Sequence, residues 1–208
     1  TLLQQLYKDQ SACVKTDTNS REFNILRGVK QGDPLSSLLF NALLEEVFKK
    51  LRESWDQKAF GIPLGYDNTA QLTNLRFADD VLLLAQNQRH ITQMLSDLQH
   101  HAAPFGLEIH PDKTKILTTT SRRVPQQVQV NGKNIEVLSQ HSYTKYLGRK
   151  LSFHKYQSTE INNRVAAARR KFGLLRHELT SKSYPLKSRL RLFDGTVTPT
   201  IMYGCTSW

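Results

Sequence analysis

With 208 residues, 38% of them hydrophobic, the chain has room for one large domain or two small ones. No apolar run approaches the ~18 to 20 residues of a membrane helix, so no membrane is expected among its partners. The net charge of +11 is lopsided: residues 1–120 carry 13 Lys and Arg against 14 Asp and Glu, and residues 121–208 carry 16 against 4. A neutral part joined to a basic one points to a polyanionic partner or to a plain solvated basic surface.

Residues 2–10 read as the end of a helix, with Leu2, Leu3, Leu6 and Tyr7 on one side. Residues 12–16 and 22–26 read as strands joined by the polar turn Asp17-Thr18-Asn19-Ser20. Residues 27–33 form a loop, and Asp33-Pro34 opens a helix, with Asp as N-cap and Pro in the first helical position. Leu35, Leu38, Leu39, Ala42, Leu43, Val47 and Leu51 carry that helix to about Trp55. Residues 56–69 are a loop. Residues 71–78 and 80–85 are two strands around a tight turn, the second apolar on both faces and so expected to be buried and central. Residues 91–105 are an amphipathic helix closed by Gly106. Short strands are expected at 107–109, 114–118, 127–130, 134–138 and 143–148, then helices at 161–179 and 185–202. The order gives an α+β sheet domain followed by a helical basic module, with a boundary near residue 150.

Cys13 and Cys205 stand far apart with no zinc-like spacing and read as small core residues, in keeping with a reducing compartment. The first residues offer no basic region, apolar stretch or cleavage site, so no signal peptide is expected. The chain also lacks an initiator Met and reads as part of something longer.

Two segments carry chemistry. Phe77-Ala78-Asp79-Asp80 sets two carboxylates between apolar strands. Like charges so placed repel unless a cation lies between them, and a hard divalent cation with oxygen ligands resolves the conflict. Taken alone, an Asp-Asp pair is equally an ordinary solvated turn. Arg27-Gly28-Val29-Lys30-Gln31-Gly32-Asp33-Pro34-Leu35-Ser36 combines glycines, which allow close backbone approach, with cations and a helix start that suit phosphate. It also reads as a plain strand-to-helix connection.

Residues 27–40, RGVKQGDPLSSLLF, resemble the palm loop and helix of reverse transcriptases from non-LTR, LINE-type retrotransposons. Phe77-Ala78-Asp79-Asp80 is similar to their metal motif, residues 106–115 to the following motif that ends in Lys-Thr, and Tyr146-Leu147-Gly148 to the primer-gripping hairpin. Residues 198–208 resemble a stretch beyond the thumb. The motifs fall in family order along nearly the whole chain. The resemblance implies a polymerase palm, an antiparallel sheet packed on helices, in residues 1–150, and a thumb with the start of the next region in 151–208. It implies RNA-directed DNA polymerase activity by two-metal phosphoryl transfer, with RNA template, DNA primer and deoxynucleoside triphosphates as partners. It also implies an upstream fingers and palm segment of the same polyprotein. Asp79 and Asp80 would bind two Mg²⁺ ions, with Mn²⁺ as a substitute. Arg27, Gly28, Lys30, Gln31, Gly32, Phe77 and Ala78 would line the nucleotide and template pocket. Ser36 would support the helix below it. Lys113 would meet the triphosphate. Tyr146, Leu147 and Gly148 would place the primer end. Arg164, Arg169, Arg170, Lys171 and Arg176 would lie against the duplex backbone. Location would be intracellular, nuclear for a eukaryotic element.

Two departures stand out. His110 replaces the family's Asn, which would hydrogen-bond the turn. The first metal aspartate, on a strand upstream of these motifs, has no counterpart, so the 208 residues alone are expected to be nearly inactive. Alternatives are an intron-maturase-type enzyme, a non-catalytic nucleic-acid-binding remnant and an RNA-templated RNA polymerase.

Overall fold

The computed structural model describes residues 2–65, 70–120 and 125–207. The end of the expected 56–69 loop and Trp208 of the C-terminal motif lie outside them. The chain forms two compact units, Thr1–Lys50 and Leu51–Trp208.

The first unit holds α1 (Leu2–Tyr7), β1 (Ser11–Ala12), β2 (Phe23–Asn24) and most of α2 (Pro34–Gln57). The strands expected at 12–16 and 22–26 shrink to two residues each, paired Ser11 to Asn24 and Ala12 to Phe23. Side chains take over the backbone groups beyond them: Val14 N donates to Ser20 Oγ (2.9 Å) and Thr16 Oγ1 to Thr18 O (3.0 Å). The start of α2 is as expected. Leu35 N donates to Asp33 Oδ1 at 3.0 Å, and the buried Ser36 reaches Asp33 Oδ2 at 3.4 Å. Leu44, Val47, Phe48, Leu51 and Trp55 are its buried stripe, at steps of three and four.

In the second unit, β3 (Ile62–Leu64) pairs with β4 (Ala70–Leu72), and β5 (Asn74–Phe77) with β6 (Asp80–Leu83), both antiparallel. This corrects two expectations. The strand predicted at 71–78 breaks at the buried Thr73, and its first half turns back onto 62–64, which reads as loop because Gly61 and Gly65 flank a three-residue strand with Pro63 at its centre. β6 is half-buried, not fully buried, and pairs only with β5 among the described residues. It borders a cleft of about 510 Å³ shared with β7 (Lys115–Leu117).

Next come α3 (Gln88–Ala102), capped by Asn87 Oδ1, and a 3-10 turn ended by Gly106 at φ 73°. The strand expected at 107–109 does not form. Ile109 N donates to the Gln99 side chain of α3 at 2.8 Å, so the ladder bond is already taken. β7, β9 (Lys133–Leu138) and β8 (Gln127–Val130) form a three-stranded sheet in the order 7-9-8, with β7 parallel to β9. Leu95, Ile116, Val130, Ile135 and Val137 make a core between this sheet and α3, with Leu83 and Ile91 against it. The hairpin β10 (Thr144–Tyr146) and β11 (Arg149–Leu151) leads into α4 (Tyr156–Leu174), α5 (Arg176–Thr180) and α6 (Leu186–Met202). A second core, Ala168, Leu179 and Val197, joins these three helices. The α+β class therefore holds, though its strands form several small sheets. No helix among the described residues is long and apolar enough to cross a membrane.

Candidate metal turn and nucleic-acid interface

The register Phe77 to Asp80 leaves Ala78 and Asp79 as a two-residue turn, with Ala78 at φ 52°. Tight strand pairing thus holds both carboxylates at the tip of the hairpin, exposed to solvent beside the exposed ring of Phe77. Among the described residues no third His, Cys, Asp or Glu gathers with them. Two carboxylates with open positions fit a divalent cation of the Mg²⁺ kind, which takes one or two protein carboxylates and completes its shell from water and phosphate.

The charge at this tip is felt by Tyr146 of a second hairpin. The Tyr146 phenol is held above its ordinary range, first by burial and then by the negative charge of Asp80. Tyr146 therefore lies within electrostatic reach of Asp80. An absorbance titration at high pH should show Tyr146 ionising later than ordinary tyrosines. Asp80→Asn should shrink that delay without removing it, because burial is the larger cause. The sign is that of a group favouring its neutral form when folded: its contribution to stability is complete below pH ~10 and is lost as pH rises through the folded pKa. A titration unaffected by Asp80→Asn would separate the two residues.

The turn of that hairpin is Leu147 (φ 48°) and Gly148 (φ 74°). Two consecutive left-handed residues are what a two-residue hairpin needs to match strand twist. Leu147 O accepts from Tyr203 Oη at 3.0 Å, and Gly148 O accepts from the Arg164 guanidinium.

Lys113 sits exposed on a turn closed by Thr114, whose N (3.0 Å) and Oγ1 (2.9 Å) both donate to His110 O. The turn is thus closed through the backbone carbonyl of residue 110. The His110 ring instead lies 3.9 Å from Asp112 Oδ2. In the first unit, Arg27, Gly28, Lys30, Gln31 and Gly32 are all exposed, and the glycines take φ 98° and 88° with open space where a side chain would be.

Of the five basic residues expected to face a duplex, Arg169, Arg170 and Arg176 are exposed and Lys171 is half-buried. Arg164 does not belong with them. It is 7% exposed, and its Nε lies 2.9 Å from Glu160 Oε1. Glu160, Arg164 and Ala168 follow one another at four-residue steps and form the inward face of α4. A lone acid four residues before an arginine, followed by an Ala-rich run, was the signal in the sequence for an inward ion pair.

The family model described as reverse transcriptase (RNA-dependent DNA polymerase) matches residues 2–151. The chain is 33% identical over 141 residues to an uncharacterized transposon-derived protein of Caenorhabditis elegans, covering 68% of the chain and 50% of that protein. It is 29% identical over 190 residues to a retrovirus-related Pol polyprotein from the type-1 retrotransposable element R2 of Popillia japonica, covering 86% of the chain and 30% of the relative. A protein of the same description from Nasonia vitripennis is 29% identical over 157 residues, 72% of the chain and 14% of the relative. The chain thus spans half or less of the length of these curated relatives.

Proposed function

The chain belongs to the reverse transcriptase (RNA-dependent DNA polymerase) family, and from that premise we propose that it is the palm-and-thumb part of a non-LTR retroelement enzyme that extends a DNA primer on an RNA template. The observation that carries this reading is the pairing of Asp79 and Asp80 at the tip of a tight two-residue hairpin, with Asp80 in electrostatic reach of Tyr146. Asp79 and Asp80 are the residues to hold two Mg²⁺ ions, or Mn²⁺ in their place, which when bound activate the primer hydroxyl and screen the departing pyrophosphate.

The protein's own residues do the rest. Tyr146 stays a neutral phenol at physiological pH and so adds no further negative charge beside Asp80. The Leu147–Gly148 turn seats the primer end. Lys113, a flexible exposed ammonium, meets the triphosphate. Arg27, Lys30 and Gln31, with the Gly28 and Gly32 backbone, line the nucleotide and template pocket. Arg169, Arg170, Lys171 and Arg176 contact backbone phosphates, which gives affinity without sequence choice.

Primer extension on poly(rA)/oligo(dT) with Mg²⁺ tests the reading in a polypeptide of the relatives' kind that contains this chain. DNA synthesis lost on Asp79→Asn is expected; synthesis indifferent to that change sinks it. The 208 residues alone bring two carboxylates to two ions, so little extension is expected from them. Duplex binding without synthesis in the longer polypeptide would favour a nucleic-acid-binding remnant. The basic helices make a separate prediction. With about four phosphate contacts, affinity for an RNA–DNA duplex should fall by roughly 10²-fold between ~50 and 200 mM salt. A flat salt titration would remove the helices from the interface.

A further inference from the structure

The turn of the second hairpin is held from outside in an unusual way. Carbonyls at the tip of a two-residue hairpin turn ordinarily point to water, yet here both accept from side chains of the helical region: Leu147 O from Tyr203 and Gly148 O from Arg164. Behind them lies Glu160, with no exposed surface. Its Oε2 accepts from Lys150 N at 2.8 Å and from Asn163 Nδ2 at 3.2 Å, and its Oε1 faces Arg164 Nε at 2.9 Å and Arg149 Nε at 3.6 Å. Arg149 continues to Tyr156 Oη and Ser207 Oγ.

One carboxylate therefore serves two guanidiniums and the backbone of β11. Burying such a cluster is costly, and an apolar replacement of the same volume is often as stable, so stability alone does not account for it. A cluster of this kind fixes register: Glu160 Oε2 is hydrogen-bonded, while Oε1 and the Nε atoms of Arg149 and Arg164 are buried with only one another's charge to offset them, so a shift of hairpin against helix strands buried charge.

Resting on the polymerase function proposed above, we propose that Glu160 is a positioning residue that locks the Leu147–Gly148 turn to α4 through Arg164 and the Lys150 amide, so that the primer-seating turn and the thumb helix move as one body. Glu160 touches neither primer nor nucleotide. It sets where the primer end rests relative to the helix that follows the duplex.

The test compares the 208-residue chain with Glu160→Gln, which keeps volume and one acceptor but removes the charge. The milder Arg164→Lys is carried alongside in case Glu160→Gln does not fold. Two readouts are taken: hydrogen exchange across residues 144–151 and 190–201, and fluorescence of 2-aminopurine at the primer 3′ end of an RNA–DNA duplex, with overall duplex affinity from anisotropy. In either variant, hairpin amides should exchange at least about tenfold faster while α6 stays protected. The primer-end signal should be lost while duplex affinity holds within about twofold, since the exposed cations are untouched. Unchanged exchange in the hairpin overturns the proposal, as does a rise shared equally by α6. A primer-end signal that survives a loosened hairpin reduces Glu160 to a purely structural role and overturns it too. If the unaltered chain gives no primer-end signal, the measurement is made in the longer polypeptide; silence there too fails the polymerase function, and hydrogen exchange alone then decides whether the lock exists.

Discussion

Asp79→Asn should lower primer extension by on the order of 10³-fold or more in a polymerase-competent polypeptide containing this chain, with no change in its unfolding transition. Asp79 is exposed in a two-residue turn, so its carboxylate supports no packing and its loss opens no cavity. Asn keeps size and hydrogen bonding but gives up the charge that a hard cation requires. Asp80→Asn should act in the same direction and, unlike Asp79→Asn, should also bring the Tyr146 phenol closer to its ordinary range. Calorimetry beside the extension assay separates chemistry from folding. An Asp79→Asn protein that extends primers at more than about a tenth of the normal rate would remove this turn from the reaction.

Trp55→Ala should cost about 4 kcal/mol of stability, read as a drop in the urea midpoint of the 208-residue chain at unchanged slope. Trp55 is fully buried near the end of α2, and its Nε1 donates to Asp97 Oδ2 of α3 at 3.1 Å. The same carboxylate holds Gln93 Nε2 (2.7 Å) and lies 3.7 Å from Lys58 Nζ. Truncation loses the ring's burial and leaves a void in its place. Trp55→Phe retains most of the apolar contact and drops only the indole donor, while Asp97 keeps Gln93 and Lys58, so it should cost about 1 kcal/mol. A loss below ~1 kcal/mol for Trp55→Ala would mean that α2 and α3 are not joined at this residue.

What the sequence made legible was what is encoded locally. The Asp33 cap, the helix α2, the Asp79-Asp80 turn, α3 with its Gly106 stop and the strands β8 and β9 rest on neighbouring residues, whereas the buried stripe of α2 keeps only Val47 and Leu51 of the expected one and leaves Leu38 exposed. What it hid depended on distant partners. The fate of residues 107–109 turned on one Gln side chain of α3, and the break at Thr73 on pairing with 62–64. The adjacent carboxylates and the glycine-rich loop are each visible as motifs. The effect of Asp80 on Tyr146 couples hairpins more than sixty residues apart and leaves no local mark. Arg164 shows the limit of counting charge: among so many cations, its four-residue spacing from Glu160 set it apart, and composition did not.

The half-paired β6 has a practical consequence. Val81-Leu82-Leu83, with Leu84 just beyond the strand, is an apolar run with no lysine or proline in it, and among the described residues one side of the strand faces a cleft, not another strand. Natural sheets guard such margins with charge, and unguarded ones recruit copies of themselves. Purified on its own, the protein should therefore self-associate through this strand as concentration rises. A lysine at Leu82 or Leu84 is the change most apt to keep it dispersed for the measurements described above.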